Sequence, residues 1–425
     1  MSVKINPRYL AVKALCKVDR EGAYSNIALN SFLREYELSR ENKALFTSIF
    51  YGTLDRKITI DYILKQFIKS GFNKIKPFTL NLLRSAVYQI KYMDKIPVSA
   101  TVNESVNIIK SSNESYNARF VNAVLRNILR NETALPSTNS THDISVRYSC
   151  PEWIVESLVN DYSIDIALRF LEHSLLPPPT FIRVNTHKTT VGELSDLLKD
   201  EDVSVRRVGL ENTLLMSEYS SIESLNAYKQ GLFYVQDLSC QHAISLLDIQ
   251  DNDRIFDMCA APGGKTFTAA NFAQGVSVVA TDIYERRVQL INAGLKRLGI
   301  INVITAVCDA TAYKKEFGLF DKVICDVPCS GLGVLCRKPD IKYKEMEDLE
   351  SLSEIQFKIL CNATNYIKDN GKILYSTCTL RKSENEDIIN RFLECYSNYK
   401  LVNMKTYFPH LDNSDGFFAA VLQKD

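Results

Sequence analysis

No apolar run in this 425-residue chain reaches the roughly 18 residues that a membrane-spanning helix needs. The opening, Met1-Ser-Val-Lys-Ile-Asn-Pro-Arg8, lacks the apolar core of a secretory signal. Cysteine is sparse: eleven residues, an odd number, several of them inside apolar strands. That excludes a disulfide scaffold and fits free thiols in a reducing cytosol, so a cytoplasmic protein is expected. Cys325, Cys329 and Cys336 lack C-x-x-C spacing, and His142, His173, His187, His242 and His410 are scattered. No metal site is expected from them. The G-x-S-x-G elbow of a serine hydrolase is missing, as are internal repeats and low-complexity tracts.

What is there is a soluble, globular composition, 46% hydrophobic and 24% charged. The length calls for two or three domains, and a monomer is the simplest expectation. The net charge of +1 conceals two opposed parts. Residues 1–130 carry 21 Lys and Arg against 10 Asp and Glu, and residues 131–425 carry 30 against 40. A module of net charge +11 beside one of −10 points to a polyanion on the basic side. A solvated, lysine-rich helical face is the plainer alternative.

Residues 1–130 read as an all-α bundle. Tyr9, Leu10, Val12, Leu15, Cys16 and Val18 repeat at helical spacing, with Lys13, Lys17 and Arg20 on another side. Ser39 is placed to cap a helix, although Asn42 replaces the Glu of a full capping box. Further helices are expected near 26–36, 80–92, 99–110 and 118–130, the last carrying Arg119, Arg126 and Arg130. Residues 131–145, rich in Asn, Ser, Thr and Pro, read as a linker. Residues 146–235 read as a small α/β module, with strands near 181–185 and 232–235 and a helix near 191–198. Residues 236–425 alternate strands and helices, the pattern of an α/β sheet domain.

That last domain is organised around Phe256-Asp-Met-Cys-Ala-Ala-Pro-Gly-Gly-Lys-Thr266. A short strand runs into paired glycines and a helix start, a cradle for an anionic or nucleotide-like ligand. Two templates fail. A P-loop needs glycine where Cys259 stands, and G-x-G-x-x-G is absent. An ordinary β-to-α turn is the bland alternative. The strands that follow weigh against it, because they end at Asp282, Asp309 and Asp326. Acids at the carboxyl edge of such a sheet line its ligand crevice, and the one after the second strand commonly takes ribose hydroxyls.

Two cysteines stand at strand ends on the same edge. Cys329 lies in Asp326-Val-Pro-Cys-Ser-Gly331 and Cys378 in Tyr375-Ser-Thr-Cys-Thr-Leu380. Neighbouring strands are about 5 Å apart, so both thiols would face one cleft. Most cysteines are small buried hydrophobes, and Cys16, Cys325, Cys361 and Cys395 are read that way. A thiol in a polar loop is a candidate nucleophile. One reaction uses a nucleotide-like cofactor and two thiols together. A thiolate added at carbon-6 of a pyrimidine makes carbon-5 able to attack a methyl sulfonium. An acid near ring N3, here Asp326, steadies the adduct, and a second cysteine assists release.

These motifs resemble those of the NOL1/NOP2/Sun family of RNA cytosine-C5 methyltransferases. The resemblance implies a Rossmann-like domain that uses S-adenosyl-L-methionine. It implies that Cys378 is the nucleophile and that Cys329 assists product release. The family's cofactor contacts fall on Cys259, Ala260, Ala261, Pro262, Gly263, Gly264 and Lys265, and on Asp282, Asp309 and Asp326, with Arg287 one helical turn beyond Asp282. Val327 departs from the more usual Ala in D-A-P-C-S-G. Residues 1–130 resemble the RNA-binding bundle NusB through Asn6-Pro-Arg8, Lys95-Ile-Pro-Val-Ser99, Val102-Asn-Glu-Ser-Val106 and Phe120-Val-Asn-Ala-Val-Leu-Arg126. Such a bundle joined to the catalytic part is the architecture of the family's small-subunit rRNA enzymes, which makes 16S rRNA the expected partner. Methylation of tRNA or another RNA is a second reading. A third, an antitermination-like RNA-binding adaptor with a silent methyltransferase fold, sits badly with intact Cys329, Cys378, Asp326, Gly263 and Gly264.

Overall fold

The computed structural model describes residues 6–21, 25–68, 71–219, 221–343, 349 and 351–425. The chain packs as two units, one of residues 1–175 with 337–344, the other of 176–336 with 345–425.

The first unit is helical, with no strand among its described residues. Its helices are Pro7–Glu21, Ser25–Glu35, Arg40–Asp55, Lys57–Phe67, Pro77–Tyr92, Val98–Lys110, Ala118–Arg130, Thr141–Tyr148, Glu152–Asp161 and Ile164–His173. Proline opens two of them, where its missing N–H costs nothing. Ser39 caps the third by accepting from the Asn42 amide at 3.3 Å. The apolar stripe of the first helix buries Leu10, Ala11, Ala14 and Leu15 against Phe46, Ile49 and Phe50. Helix 118–130 buries Val121, Val124, Leu125 and Ile128 and leaves Arg119, Arg126 and Arg130 exposed. Arg84, 7% exposed, holds Asp61 through two bonds of 2.7 Å and Asp19 at 3.1 Å. Helix 57–67 has no counterpart in the sequence reading, and helix 141–148 begins inside the stretch read as linker. A strap from far along the chain, residues 337–343, completes this unit. Lys342 Nζ meets Asp55 Oδ1 at 2.6 Å, the Tyr343 hydroxyl donates to the Leu54 carbonyl at 2.6 Å, and Ser25 donates to Asp340 at 2.6 Å.

The second unit holds two sheets. The smaller is antiparallel: β1 Thr180–Val184, β2 Ser204–Arg207, β3 Thr213–Ser217 and β4 Phe233–Val235, in the order β2-β3-β1-β4. Helix Val191–Asp200 packs on it behind a full capping box of Thr190 and Glu193. The larger sheet comprises β5 Arg254–Asp257, β6 Ser277–Asp282, β7 Val303–Val307, β8 Phe320–Asp326, β9 Ile367–Thr377, β10 Tyr399–Tyr407 and β11 Phe417–Lys424. Its order is β10-β11-β9-β8-β5-β6-β7, parallel from β9 to β7, with β10 and β11 antiparallel at one side.

Alternation along β5 sends Ile255 to one face and Phe256 to the other, which makes two cores. Ile255 packs with Ala243, Ile244, Ala270, Ile291 and Leu295. Phe256 packs with Val323, Ile359, Leu360, Ile389 and Phe392. Helices thus cover both faces, as a largely parallel sheet requires. The buried Asn185 side chain donates at 2.8 Å to both the Gly231 and Leu298 carbonyls, tying the small sheet to helix Glu285–Leu298. Among the described residues no helix is long and apolar enough to cross a membrane.

Candidate active site

From β5 the chain runs outward to β6 and β7 on one side and to β8 and β9 on the other. The crevice at that reversal lies between the carboxyl ends of β5 and β8, where open α/β sheets bind ligands. The Gly-rich turn leaves β5 there. Gly263 has φ +113°, and a Cβ on it would meet the Phe267 ring at 2.4 Å, so glycine is required. Helix Gly264–Ala270 follows.

Beside the turn is a cleft of about 270 Å³. Of the residues singled out in the sequence, Ala260, Ala261, Pro262, Gly264, Lys265, Asp326 and Cys378 line it. Val327 lines it too, its branched side chain buried among Phe256, Val323 and Tyr375. Val235, Gln236, Asp237, Cys240, Asp257, Val334, Asp415 and Phe417 complete the wall, and none of these was singled out. Asp257 lies in the strand before the Gly-rich turn and Gln236, Asp237 and Cys240 lie where residues 236–425 begin, and no local signal marks them. Asp415 is brought in by β11 from the far end of the chain.

The remaining sequence candidates sit around the cleft. Asp282, at the end of β6 and 2% exposed, pairs with Arg287 at 3.1 Å and accepts from the Ala261 amide at 3.4 Å. Arg287 also donates to the Ala261 carbonyl at 3.1 Å, so this pair braces the turn from the β6 side. Asp309, exposed beyond β7, accepts from the Thr311 amide at 2.9 Å and its hydroxyl at 2.7 Å. Cys259 packs beneath the turn with the Phe256 core. Of the four cysteines read as buried hydrophobes, Cys16 and Cys325 are buried, Cys361 is half-buried and Cys395 is exposed at a helix end. That last reading is corrected. Among the described residues no group of three or more His, Cys, Asp and Glu could hold a metal ion.

Lys265 and Asp326 form an ion pair of 2.8 Å on the cleft wall. The ammonium also lies 4.9 Å over the Phe417 ring. Asp326 accepts from the Ser376 hydroxyl at 2.8 Å. Burial works against the Lys265 charge, but the Asp326 carboxylate outweighs it and holds the ammonium well above its usual range. Asp257 is fully buried, and its carboxyl is pushed up to about 7 by burial first and the nearby Asp326 charge second. Burial also pushes the Cys240 thiol up to about 12.

The two strand-end cysteines meet. Cys329 Sγ lies 3.2 Å from Cys378 Sγ. Their loops are stitched together by buried polar groups. Ser330 and Thr379 share a hydroxyl bond of 2.7 Å, and Glu384 accepts from the Ser330 amide and from Gln356 at 2.9 Å each. Gln356 also donates to the Pro328 carbonyl at 2.9 Å. Asn385 takes the Thr377 hydroxyl at 2.6 Å and donates to the Thr379 carbonyl at 3.0 Å. Gly333 presses backbone to backbone on Gly416 and donates to the Cys378 carbonyl at 2.9 Å. The Cys329 thiol is pushed well up, chiefly by its hydrogen bond to Cys378 and then by burial.

A largely parallel sheet with a Gly-rich turn after its first strand, acids at successive strand ends and helices on both faces defines a Rossmann-like methyltransferase domain. Comparisons with known proteins narrow that class. Residues 244–423 match the family model for "16S rRNA methyltransferase RsmB/F", residues 5–130 that for the NusB family, and residues 150–222 that for the ferredoxin-like domain of RsmF/B-like methyltransferases. The Bacillus subtilis (strain 168) protein named "Probable ribosomal RNA small subunit methyltransferase B" is 34% identical, with 99% of each chain covered. The crystal structure of PH0851 covers 100% of both chains with a TM-score of 0.82 at 24% identity, a shared fold. The crystal structure of a methyltransferase homolog protein from Pyrococcus horikoshii is 26% identical, with a TM-score of 0.60 over 68% of this chain and 100% of its own. The chain belongs to the ribosomal RNA small subunit methyltransferase B family, and it is a methyltransferase.

Proposed function

We propose that this protein methylates carbon-5 of a cytosine in 16S rRNA, with S-adenosyl-L-methionine as donor and a transient bond between Cys378 and carbon-6 of the base. The observation that carries the reading is the 3.2 Å approach of Cys329 and Cys378 beside the Lys265–Asp326 pair. The cleft fits the cofactor. Among the described residues, its side chains bring Asp237, Asp257, Asp326 and Asp415 against the one cation Lys265, an acidic wall suited to a sulfonium. The backbone of Cys259 to Lys265 would hold the cofactor, with Asp282, Arg287 and Asp309 at the ribose and base end and Asp326 toward the reacting centre. When bound, the cofactor supplies an electrophilic methyl group.

The protein's own residues do the rest. Cys378, which lines the cleft, adds as its thiolate to carbon-6 and raises the electron density at carbon-5. Asp326, fixed by Lys265 and Ser376, steadies the ring at N3. After transfer, Cys329 assists departure of the carbon-5 proton, and carbon-6 then expels Cys378.

RNA is held by residues 1–130 and 146–235, which we assign as the NusB-like and middle domains on either side of linker 131–145. The excess of eleven positive charges over 1–130 supports this, as does a hollow of about 500 Å³ lined by Tyr9, Lys13, Lys17, Arg20 and Phe78. Phosphates give such contacts their strength, and exposed aromatic rings accept unstacked bases. The target cytosine would leave its stack to reach the thiols. The small-subunit rRNA named for the relatives, including those of Proteus mirabilis and Vibrio cholerae, favours 16S rRNA over tRNA and a cytoplasmic site of action.

The test is incubation with labelled S-adenosylmethionine and protein-free small-subunit rRNA. Wild type should place label in 5-methylcytosine, and Cys378→Ala should place none. Cys329→Ala should yield a protein–RNA adduct stable on denaturing gels. An adduct in Cys378→Ala would refute the assignment of the nucleophile.

A further inference from the structure

Each cysteine of the pair is bracketed by its own buried clamp. Around Cys329, Gln356 Nε2 donates to the Pro328 carbonyl at 2.9 Å, and the Ser330 amide donates to Glu384 Oε2 at 2.9 Å. Gln356 also donates to that same Glu384 oxygen at 2.9 Å, which closes the clamp. Around Cys378 a single side chain holds both neighbours. The Thr377 hydroxyl donates to Asn385 Oδ1 at 2.6 Å, and Asn385 Nδ2 donates to the Thr379 carbonyl at 3.0 Å. Gln356, Glu384 and Asn385 are fully buried, so these bonds lie in a low-dielectric interior that strengthens them. Asn385 stands at the N-cap of helix Glu386–Cys395, where an Asn side chain ordinarily accepts from the first amides of the helix. It makes no such bond, and its side chain goes to the Cys378 loop instead. The Tyr375 hydroxyl donates to the Glu384 carbonyl at 2.6 Å and ties the clamps back to β9.

Glu384 and Asn385 are consecutive, so their Cα atoms stand about 3.8 Å apart across one peptide. One stretch of backbone thereby sets both loops, and with them the 3.2 Å separation of the sulfurs. We infer that Gln356 and Glu384 are positioning residues for the step at Cys329, and Asn385 for the step at Cys378. The inference rests on the two-sulfur reading above and deepens it, dividing the two steps between neighbouring residues. Attack forms the bond from Cys378 Sγ to carbon-6 and needs the Cys378 loop in place. Release sends the carbon-5 proton to solvent with the help of Cys329. The electron pair of that bond rebuilds the double bond between carbon-5 and carbon-6 and expels Cys378 as thiolate. That step needs the Cys329 loop in place. Displacing a reacting group by about 1 Å can cost about a hundredfold, so a loosened clamp shows in its own step.

Single-turnover and multiple-turnover assays on the full chain separate the steps, with labelled S-adenosyl-L-methionine, small-subunit rRNA and denaturing gels as readout. Gln356→Met removes both donated bonds of the first clamp. It should form the protein–RNA adduct at the wild-type rate and lower turnover about tenfold or more, with adduct persisting on the gel. Asn385→Leu removes both bonds of the second clamp. It should slow adduct formation about tenfold or more and accumulate none. Both should bind S-adenosylhomocysteine as wild type does, which separates a displaced loop from a damaged fold. Loss of the same step in both variants, or wild-type kinetics in either, overturns the division. Where one of them does not fold, milder variants decide. Glu384→Gln keeps an acceptor oxygen without the charge and should slow release about threefold. Thr377→Val removes one bond to Asn385 and should slow adduct formation about threefold. The reverse assignment, or no change, overturns the division. Cys329→Ala is the control. If it forms no adduct, the two-sulfur reading fails and takes the clamps with it. If it does, and the clamp variants behave as wild type, the clamps alone fail.

Discussion

Replacing Asp257 by asparagine keeps the side chain's size and its anchor on Thr266, and removes a buried charge. The folded carboxyl holds its proton up to about 7, against an ordinary 3.8. A raised carboxyl favours the folded state most at low pH, and that contribution is lost as pH rises through about 7. Each unit is about 1.4 kcal/mol, so the wild type bears about 4 kcal/mol of charge burial at pH 8 and about 1.6 kcal/mol at pH 5. The amide brings its own cost of about 1–3 kcal/mol if its N–H stays unpaired, but that cost does not vary with pH. The difference between variant and wild type should therefore move by about 3 kcal/mol in the variant's favour from pH 5 to pH 8. For a unit of this size that is about 6–12 °C in melting temperature. Thermal melts of both proteins without cofactor, at intervals of one pH unit, give the curve. A difference that stays constant from pH 5 to pH 8 refutes the argument, whatever its sign.

Other perturbations probe the rest of the site. Alkylation followed by peptide mass spectrometry should modify Cys378 before Cys329, whose thiol is held up by the hydrogen bond between them. Faster modification of Cys329 would reverse their roles. Gly333→Ala places a Cβ 1.9 Å from the Gly416 carbonyl oxygen and 2.9 Å from that of Cys378. It should cost about 1–3 kcal/mol in chemical denaturation and lower methyl transfer more than cofactor affinity. Lys265→Met leaves Asp326 without its ion partner and should destabilise the protein by about 2–3 kcal/mol, while Lys265→Met with Asp326→Asn should recover part of that loss in a double-mutant cycle.

Features with a local cause could be read from the amino acids alone. The turn from Phe256 to Thr266, the acids at the ends of β6 and β8 and the two loop cysteines were legible because strand alternation and glycine chemistry act over a few residues. Helix 57–67 was not, because Arg56 serves as the last cap of one helix and the first of the next, with no side-chain cap hydrogen bond to mark the break. β2 and β3 escaped for the opposite reason. They are short, Ser204–Arg207 is largely exposed, and their pairing rather than their composition makes them strands. The supporting groups Glu384 and Asn385 are two buried polar residues that look like a surface helix start. Only their bonds to the loops of Cys329 and Cys378 give them meaning. Asp257 stood inside the quoted motif, yet its significance lies in burial, which a sequence does not carry.

The strap at 337–343 has a consequence for how this protein can be divided. Its residues are encoded within the catalytic stretch but complete the helical unit, with Lys342 on Asp55 and Tyr343 on Leu54. The boundary between genes' worth of sequence and the boundary between folded bodies are therefore different boundaries. A fragment cut at residue 175 would carry away the helices and leave behind the piece that finishes them.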